Sequence, residues 1–321
     1  MPRALSMQHR GVEMESSTGT QRAVRTERVT FTSSGTNLVG KLFLPPTAKT
    51  SGRLPALVVT GAWGTVKEQM SAGYAREMAA RGYIALTFDF RSWGESDGRP
   101  RSMEDPFAKA EDIVAAAQYL GTRPDVDARA IGGLGICASS AYMATAATRT
   151  DLISSLALVA PALPSRSTVA EHTGGGEGVA ALRKAAGEAE DEYRRSGKEA
   201  LGPVVEQTPE NSVPGADYYT NPDRGMIPEW DNTFNAMSWG KWLEYDAQAS
   251  ADHLTQPLLL VHSDAAASPE SVREFATKVP REVEQLWLDG VTQFDFYDRP
   301  GPMKTASDAA ARHFAGTMKG A

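Results

Sequence analysis

The chain is short of several things at once. It has one cysteine in 321 residues, so no internal disulfide can form, which fits a reducing cytoplasm. It has no apolar run approaching the length of a membrane-spanning helix, so no membrane partner is expected. Basic residues are the minority, 33 Lys and Arg against 40 Asp and Glu for a net charge of -7. That balance argues against nucleic acid or an anionic membrane as a partner. No cysteine or histidine pair stands at ligand spacing, so no metal is expected. Gly132-Gly133-Leu134-Gly135 falls at a strand end rather than in a phosphate loop, so no cofactor is expected either. There is no internal repeat or low-complexity tract. Residues 1–24 are polar, lack the apolar run of a signal peptide and read as a mobile leader.

What is present is ordinary in bulk. Charged residues make up 23% and apolar residues 41%, the proportions of a soluble globular protein. The length suits one large α/β domain with an insertion. The lone cysteine lies within Arg129 to Ala147, where an apolar run (Ile131, Leu134, Ile136) meets Cys137 and then a stretch of small, helix-tolerant residues. That order reads as strand, sharp turn and helix. A side chain at such a turn stands above the end of the sheet, and the first amides of the helix point at whatever it attacks. Gly135-Ile136-Cys137-Ala138-Ser139 matches the G-x-S-x-G nucleophile elbow, with cysteine for serine and Ser139 for the second glycine. Taken alone, Cys137 reads equally well as a small buried hydrophobe. The flanking pattern separates the two readings.

Arg28 to Thr32 alternates, meets Ser33-Ser34-Gly35-Thr36-Asn37 and predicts a hairpin into Leu38 to Leu44. Ala56 to Thr60 is a continuous apolar strand of the kind buried on both faces, ending in the turn Gly61-Ala62-Trp63-Gly64. A helix from about Lys67 to Arg81 follows, stopped by Gly82. Next come a strand from Tyr83 to Phe90, a polar loop from Arg91 to Pro106, and a helix from Phe107 to Leu120 that leads into the elbow strand. This alternation predicts a mainly parallel sheet covered on both faces.

The order of motifs resembles the α/β-hydrolase superfamily. Beyond the elbow, Asp89-Phe90-Arg91-Ser92-Trp93-Gly94-Glu95-Ser96 resembles the D-x-R-G-x-G-x-S loop, with Ser92 where glycine is usual. The last two strands are present as Gln256 to His262 and Val283 to Leu288. The resemblance implies an α/β-hydrolase fold, a mainly parallel central sheet with helices on both faces, with its core in residues 25–161 and 256–321. Residues 162–255 break the alternation, and in this superfamily such an insertion forms a helical cap over the elbow. Within it, Gly174-Gly175-Gly176 reads as a loop and Glu188 to Arg195 as a solvated helix. Tyr218, Tyr219, Trp230, Phe234, Trp239, Trp242 and Tyr245 crowd its second half, where they line a pocket or pack the cap. Trp63, Tyr142, Trp230 and Trp239 are the candidates for substrate binding.

The elbow also sets the expected chemistry. Cys137 would gain acidity from the positive end of the helix that opens at Ala138. By resemblance, the oxyanion donors are the amide of Ala138 and that of Ala62 or Trp63. Both other triad members are replaced. The G-x-x-D pattern expected after His262-Ser263 has alanine at its fourth position, with Asp264 two residues early. The G-x-x-H loop reads Gly290-Val291-Thr292-Gln293, and none of the five histidines falls in it. A glutamine amide orients or donates a hydrogen bond but does not shuttle a proton near neutral pH. Glu68 is placed like the glutamate that contacts the thiol of dienelactone hydrolases, which also carry a G-x-C-x-G elbow. A first-turn glutamate complementing the helix dipole is the alternative reading. The catalytic candidates are therefore Cys137, Gln293, Glu68 and Asp264.

The function expected is an enzyme acting on a small carbonyl substrate, an ester, lactone or thioester, through Cys137. Two alternatives stay open. One is a non-hydrolytic elimination, cyclisation or carbon-carbon bond enzyme of secondary metabolism, and the other a catalytically silent ligand-binding protein. The partner expected is a small-molecule substrate, with a homodimer left open.

Overall fold

The computed structural model describes residues 23–46, 52–206 and 217–318. The expected mobile leader lies outside the described residues apart from its last two positions. Strands β1 (Arg25–Ser33) and β2 (Thr36–Leu44) form the antiparallel hairpin. Both turn residues, Ser34 and Gly35, have positive φ, as a two-residue turn between twisted strands requires. The alternation follows as β3 (Leu54–Thr60), α1 (Met70–Ala80), β4 (Ile84–Phe88), α2 (Pro106–Thr122), β5 (Val126–Ile136), α3 (Ser139–Ala147) and β6 (Ile153–Val159). The chain then departs into α4 (Arg166–His172), α5 (Gly175–Ser196), β7 (Leu201–Pro203), α6 (Asp217–Thr220), β8 (Thr233–Asn235) and α7 (Ser238–Trp242). It returns through a short 3-10 turn to β9 (Leu258–His262), α8 (Pro269–Lys278), β10 (Glu284–Trp287), α9 (Asp295–Asp298) and α10 (Pro300–Thr317).

Eight strands make one sheet in the order β1-β2-β4-β3-β5-β6-β9-β10. Pairs β1–β2 and β2–β4 are antiparallel and the others parallel. Strands β4, β6 and β9 are buried along almost their whole length, because helices cover both faces and leave no side for water. One face packs Ile113 of α2, Tyr142 of α3 and Phe275 of α8. The other packs Met78 of α1 and Phe314 of α10. Strands β7 and β8 pair in a separate ribbon within the inserted stretch. Among the described residues no helix is long and apolar enough to cross a membrane.

Two local expectations are corrected. Helix α1 begins at Met70 rather than near Lys67. The Lys67 backbone N–H donates to Asp89 Oδ1 at 2.8 Å and its Nζ to Asp89 Oδ2 at 2.7 Å, which holds the preceding residues as an extended turn. Gly174-Gly175-Gly176 is not a loop, since Gly174 caps α5 in the left-handed region and the next two glycines form its first turn.

The Asp89 to Ser96 motif braces the turn after β3. Asp89 also accepts the Glu95 N–H at 2.9 Å, and the Ser96 hydroxyl joins the Val39 N–H to the Asp89 carbonyl. A Cβ on Gly94 would lie 2.3 Å from Asp89 Oδ2, so glycine is required there. Ser92 keeps the left-handed backbone that glycine usually supplies, at φ 70, and its hydroxyl accepts the Met103 N–H at 3.0 Å.

Candidate active site

Cys137 stands at the corner between β5 and α3 with φ 55. A non-glycine residue in that region costs roughly 1–3 kcal/mol and persists only where its surroundings hold it. Here its N–H donates to Val159 O and its carbonyl accepts from Ala162 N, both at 3.1 Å. Gly135 has no room for a side chain, since a Cβ would lie 2.8 Å from Ser140 Cα. Ser139, in place of the second motif glycine, is fully buried.

Burial pushes the Cys137 thiol above its ordinary range, and the Tyr297 hydroxyl, the backbone N–H groups of Ala138 and Trp63, and the Gln293 side chain only partly offset it. The Ala138 amide at the start of the helix lowers the thiol, as its position suggests, but desolvation outweighs that gain.

Gln293 is held from both ends. Its Oε1 accepts the Ala267 N–H at 3.1 Å, and its Nε2 donates to Ala160 O at 2.9 Å and to the Tyr297 hydroxyl at 3.3 Å. Those partners fix which end of the amide faces the thiol, because Ala267 offers only a donor and Ala160 only an acceptor. Tyr297, on α9 four residues beyond Gln293, is buried, and its ring packs against that of Tyr219 from α6 at 6.3 Å between centroids. Burial holds both tyrosine hydroxyls well above their usual range. Near neutral pH both are donors and neither is a base.

The two amides proposed for the oxyanion turn part company. The Ala62 N–H is directed at Met70 Sδ, 3.4 Å away, whereas the Trp63 N–H is among the groups that offset burial at the Cys137 thiol. The Trp63 ring packs against Phe234 at 4.7 Å and near Trp239 at 6.1 Å and Trp242 at 6.2 Å between centroids. Its buried indole N–H has no hydrogen-bond partner among the described residues. Trp239 and Trp242 are half-buried, so this aromatic group is the part of the inserted stretch that keeps open surface beside Trp63.

Other candidates are placed elsewhere. Asp264 points into solvent, its side chain 72% exposed and paired with Arg273, because the chain past β9 turns it outward. Glu68 pairs with Lys67 at 3.0 Å and Lys41 at 3.7 Å. It thus joins the Asp89 cluster, because Lys67 is drawn to Asp89. Tyr142 is fully buried and its hydroxyl donates to Glu104 at 2.8 Å, so it braces the site from beneath. Trp230 is a strut whose indole N–H donates to the Gly64 carbonyl at 2.7 Å.

No described histidine takes the missing role. His262 is buried, with neither nitrogen hydrogen-bonded and burial lowering it to about 4. His313 pairs with Glu284, and His172 and His253 are exposed. Sequence reasoning did not single out Tyr297, Tyr219 as a hydroxyl donor, or Glu104. Only Tyr297 left a signal, its spacing of four from Gln293, which is one helical turn.

A mainly parallel sheet in this order, with helices on both faces and a sharp strand-to-helix corner at the end of the central strand β5, defines an α/β hydrolase. Residues 34–289 match the family described as X-Pro dipeptidyl-peptidase (S15 family), and the chain belongs to it. It is 31% identical over 291 residues to the uncharacterized protein PA2218 of Pseudomonas aeruginosa, covering 86% of this chain and 77% of that one. The crystal structure of hypothetical protein PA2218 superposes with a TM-score of 0.84 at 26% identity, covering 97% of this chain and all of that one, 100%. Shorter stretches match characterised enzymes. Polyketide transferase claH of Penicillium crustosum is 37% identical over 126 residues, 38% of this chain and 41% of that one. Thiohydrolase aneE of Aspergillus aculeatus is 36% identical over 111 residues, 35% of this chain and 33% of that one.

Proposed function

We propose that the protein is an acyl-transfer enzyme that takes an acyl group from an activated ester or thioester onto Cys137 and passes it to a bound acceptor. The observation that carries this reading is Gln293, held between the Ala267 N–H and the Ala160 carbonyl in the loop where a catalytic base is expected, while Asp264 pairs with Arg273 in solvent. Attack forms the C–S bond, and the carbonyl oxygen gains charge between the N–H groups of Ala138 and Trp63. The bond to the leaving group then breaks as the thiol proton passes through the Tyr297 hydroxyl to the departing sulfur or oxygen. Tyr297 gives one proton as it receives another, so it never becomes a phenolate. In the second half the acceptor's nucleophile forms the new bond to the acyl carbon, the C–S bond breaks, and the proton returns to Cys137.

Water is a poorer acceptor than an amine or thiol because it is a weak nucleophile unless a base deprotonates it, and a tyrosine hydroxyl that stays neutral is not such a base. Cleavage of a peptide bond, which the family description suggests, is disfavoured because an amine is a far poorer leaving group than a thiolate and the thioester formed is less stable than the amide broken. The names polyketide transferase and thiohydrolase, carried by the two partial relatives, support acyl and thioester chemistry.

Intact-protein mass spectrometry after exposure to activated esters and thioesters tests the reading, with Cys137→Ala alongside. The expected result is an adduct present in the parent chain, absent from the variant, and released faster by added amine or thiol than by water. A thiol that alkylates readily but never acylates would refute it.

A further inference from the structure

Glu104 and Lys109 form an ion pair sealed from solvent, their side chains 0% and 1% exposed. Lys109 Nζ donates to both carboxylate oxygens at 2.8 and 2.7 Å, and lies over the rings of Phe90, Trp93 and Tyr142 at 4.6, 4.9 and 5.6 Å. Burying such a pair is costly, and apolar residues of the same volume are often as stable. What the pair touches suggests why it is there. Glu104 Oε2 accepts the Gly64 N–H at 3.0 Å, and Oε1 accepts the Tyr142 hydroxyl at 2.8 Å. The Glu104 backbone N–H donates to Ser238 Oγ of α7 at 2.9 Å.

Gly64 follows Trp63, whose amide is among the groups that offset burial at the Cys137 thiol. It has φ 67, and a Cβ there would lie 2.6 Å from Val204, so only glycine fits. Its carbonyl accepts the Trp230 indole N–H. Both polar groups of this otherwise permissive residue are therefore tied, one to Glu104 and one to Trp230. With Gly64 tied, the Trp63–Gly64 peptide plane is held, and the Trp63 N–H, on the next peptide back, is constrained through the shared Trp63 Cα. Lys109 also cancels a carboxylate charge that would otherwise sit beneath a developing oxyanion.

We propose that Glu104, neutralised by Lys109, is a positioning residue that sets the Trp63 amide at Cys137 through the Gly64 N–H. This rests on the acyl-transfer reading for its consequence in catalysis, but the aim of the amide is testable without it.

Two double variants isolate the hydrogen bond. Glu104→Gln with Lys109→Met keeps an acceptor for Gly64, and Glu104→Leu with Lys109→Met removes it. Both discard the charges, so neither leaves a buried ion unpaired. The pH profile of Cys137 alkylation by iodoacetamide reads the Trp63 amide directly, because that donor favours the thiolate. The Leu variant is expected to shift the profile to higher pH than the Gln variant. Its acylation rate should fall about 100-fold, the loss typical of one oxyanion donor, with the Gln variant within about 10-fold of the parent. Identical alkylation profiles in the two variants would overturn the assignment. A parent chain that alkylates without acylating would instead remove the acyl-transfer reading, and the alkylation comparison would still decide the role of Glu104.

Discussion

Replacing Tyr297 by phenylalanine removes the hydroxyl that offsets burial at the Cys137 thiol and leaves the ring in its packing against Tyr218 and Phe294. The structural loss is small. Gln293 keeps its bonds to Ala160 and Ala267 and gives up only the long 3.3 Å contact. A destabilisation of about 1 kcal/mol follows, or roughly 2 °C in Tm. The chemical loss should be much larger and should depend on the leaving group. Positioned proton transfer is worth about 10²- to 10⁴-fold. An alkyl thioester or ester that leaves with a proton is expected to acylate Cys137 some 10²- to 10³-fold more slowly, about 3–4 kcal/mol of barrier. A nitrophenyl ester, whose leaving group departs as a stable anion, should lose no more than about 5-fold on the same scale. The assay is a series of acyl donors of graded leaving-group pKa, with adduct formation followed by mass spectrometry. A uniform loss across the series would refute the proton-transfer role and leave Tyr297 as packing.

Three further outcomes are expected. Because burial holds the Cys137 thiol above its ordinary range, its alkylation rate should keep rising with pH from 7 to beyond 9; a plateau below pH 8 would contradict that assignment. His262, lowered from 6.5 to about 4 by burial, binds its proton less readily when folded, so its contribution to stability is whole above pH 6.5 and lost as pH falls toward 4. Urea unfolding at pH 7 and pH 4 should show His262→Leu losing about 3 kcal/mol less than the parent over that interval, and equal losses would reject it. Gln293→His should not shorten the life of the acyl adduct in water, whereas Gln293→His combined with Ala266→Asp should; time-resolved mass spectrometry of the adduct distinguishes the two.

The fold and the elbow were readable because their signals are local. The strands are short apolar runs, and Gly135 to Ser139 are neighbours whose spacing alone builds the corner. Gln293 at the fourth position of its G-x-x-H-like loop was visible for the same reason. The failures share the opposite cause. The direction of Glu68 is decided by Lys67, and that of Lys67 by Asp89, 22 residues further on. Between the amides of Ala62 and Trp63 the choice depends on where Met70 Sδ lies. Tyr219 reaches the thiol network from the inserted stretch, and Glu104 reaches Gly64 from a loop 40 residues away. No periodicity records such encounters.

The same geometry explains why glutamine is better matched to this position than histidine. The pocket offers one donor, the Ala267 N–H, and two acceptors, the Ala160 carbonyl and the Tyr297 hydroxyl. A primary amide has one acceptor and two donors, so it satisfies all three. A neutral imidazole placed there would have to accept from Ala267 through Nδ1, and its proton would then sit on Nε2, facing the thiol. That tautomer cannot receive the thiol proton or deprotonate water. Only an acceptor on the Ala267 side, which an aspartate at position 266 is expected to supply, would reverse the tautomer and create a base. The backbone around Gln293 is thus already committed to an amide. On the acyl-transfer proposal, an acyl group on Cys137 would therefore meet no base from this loop, and its release would depend on the nucleophile bound beside it.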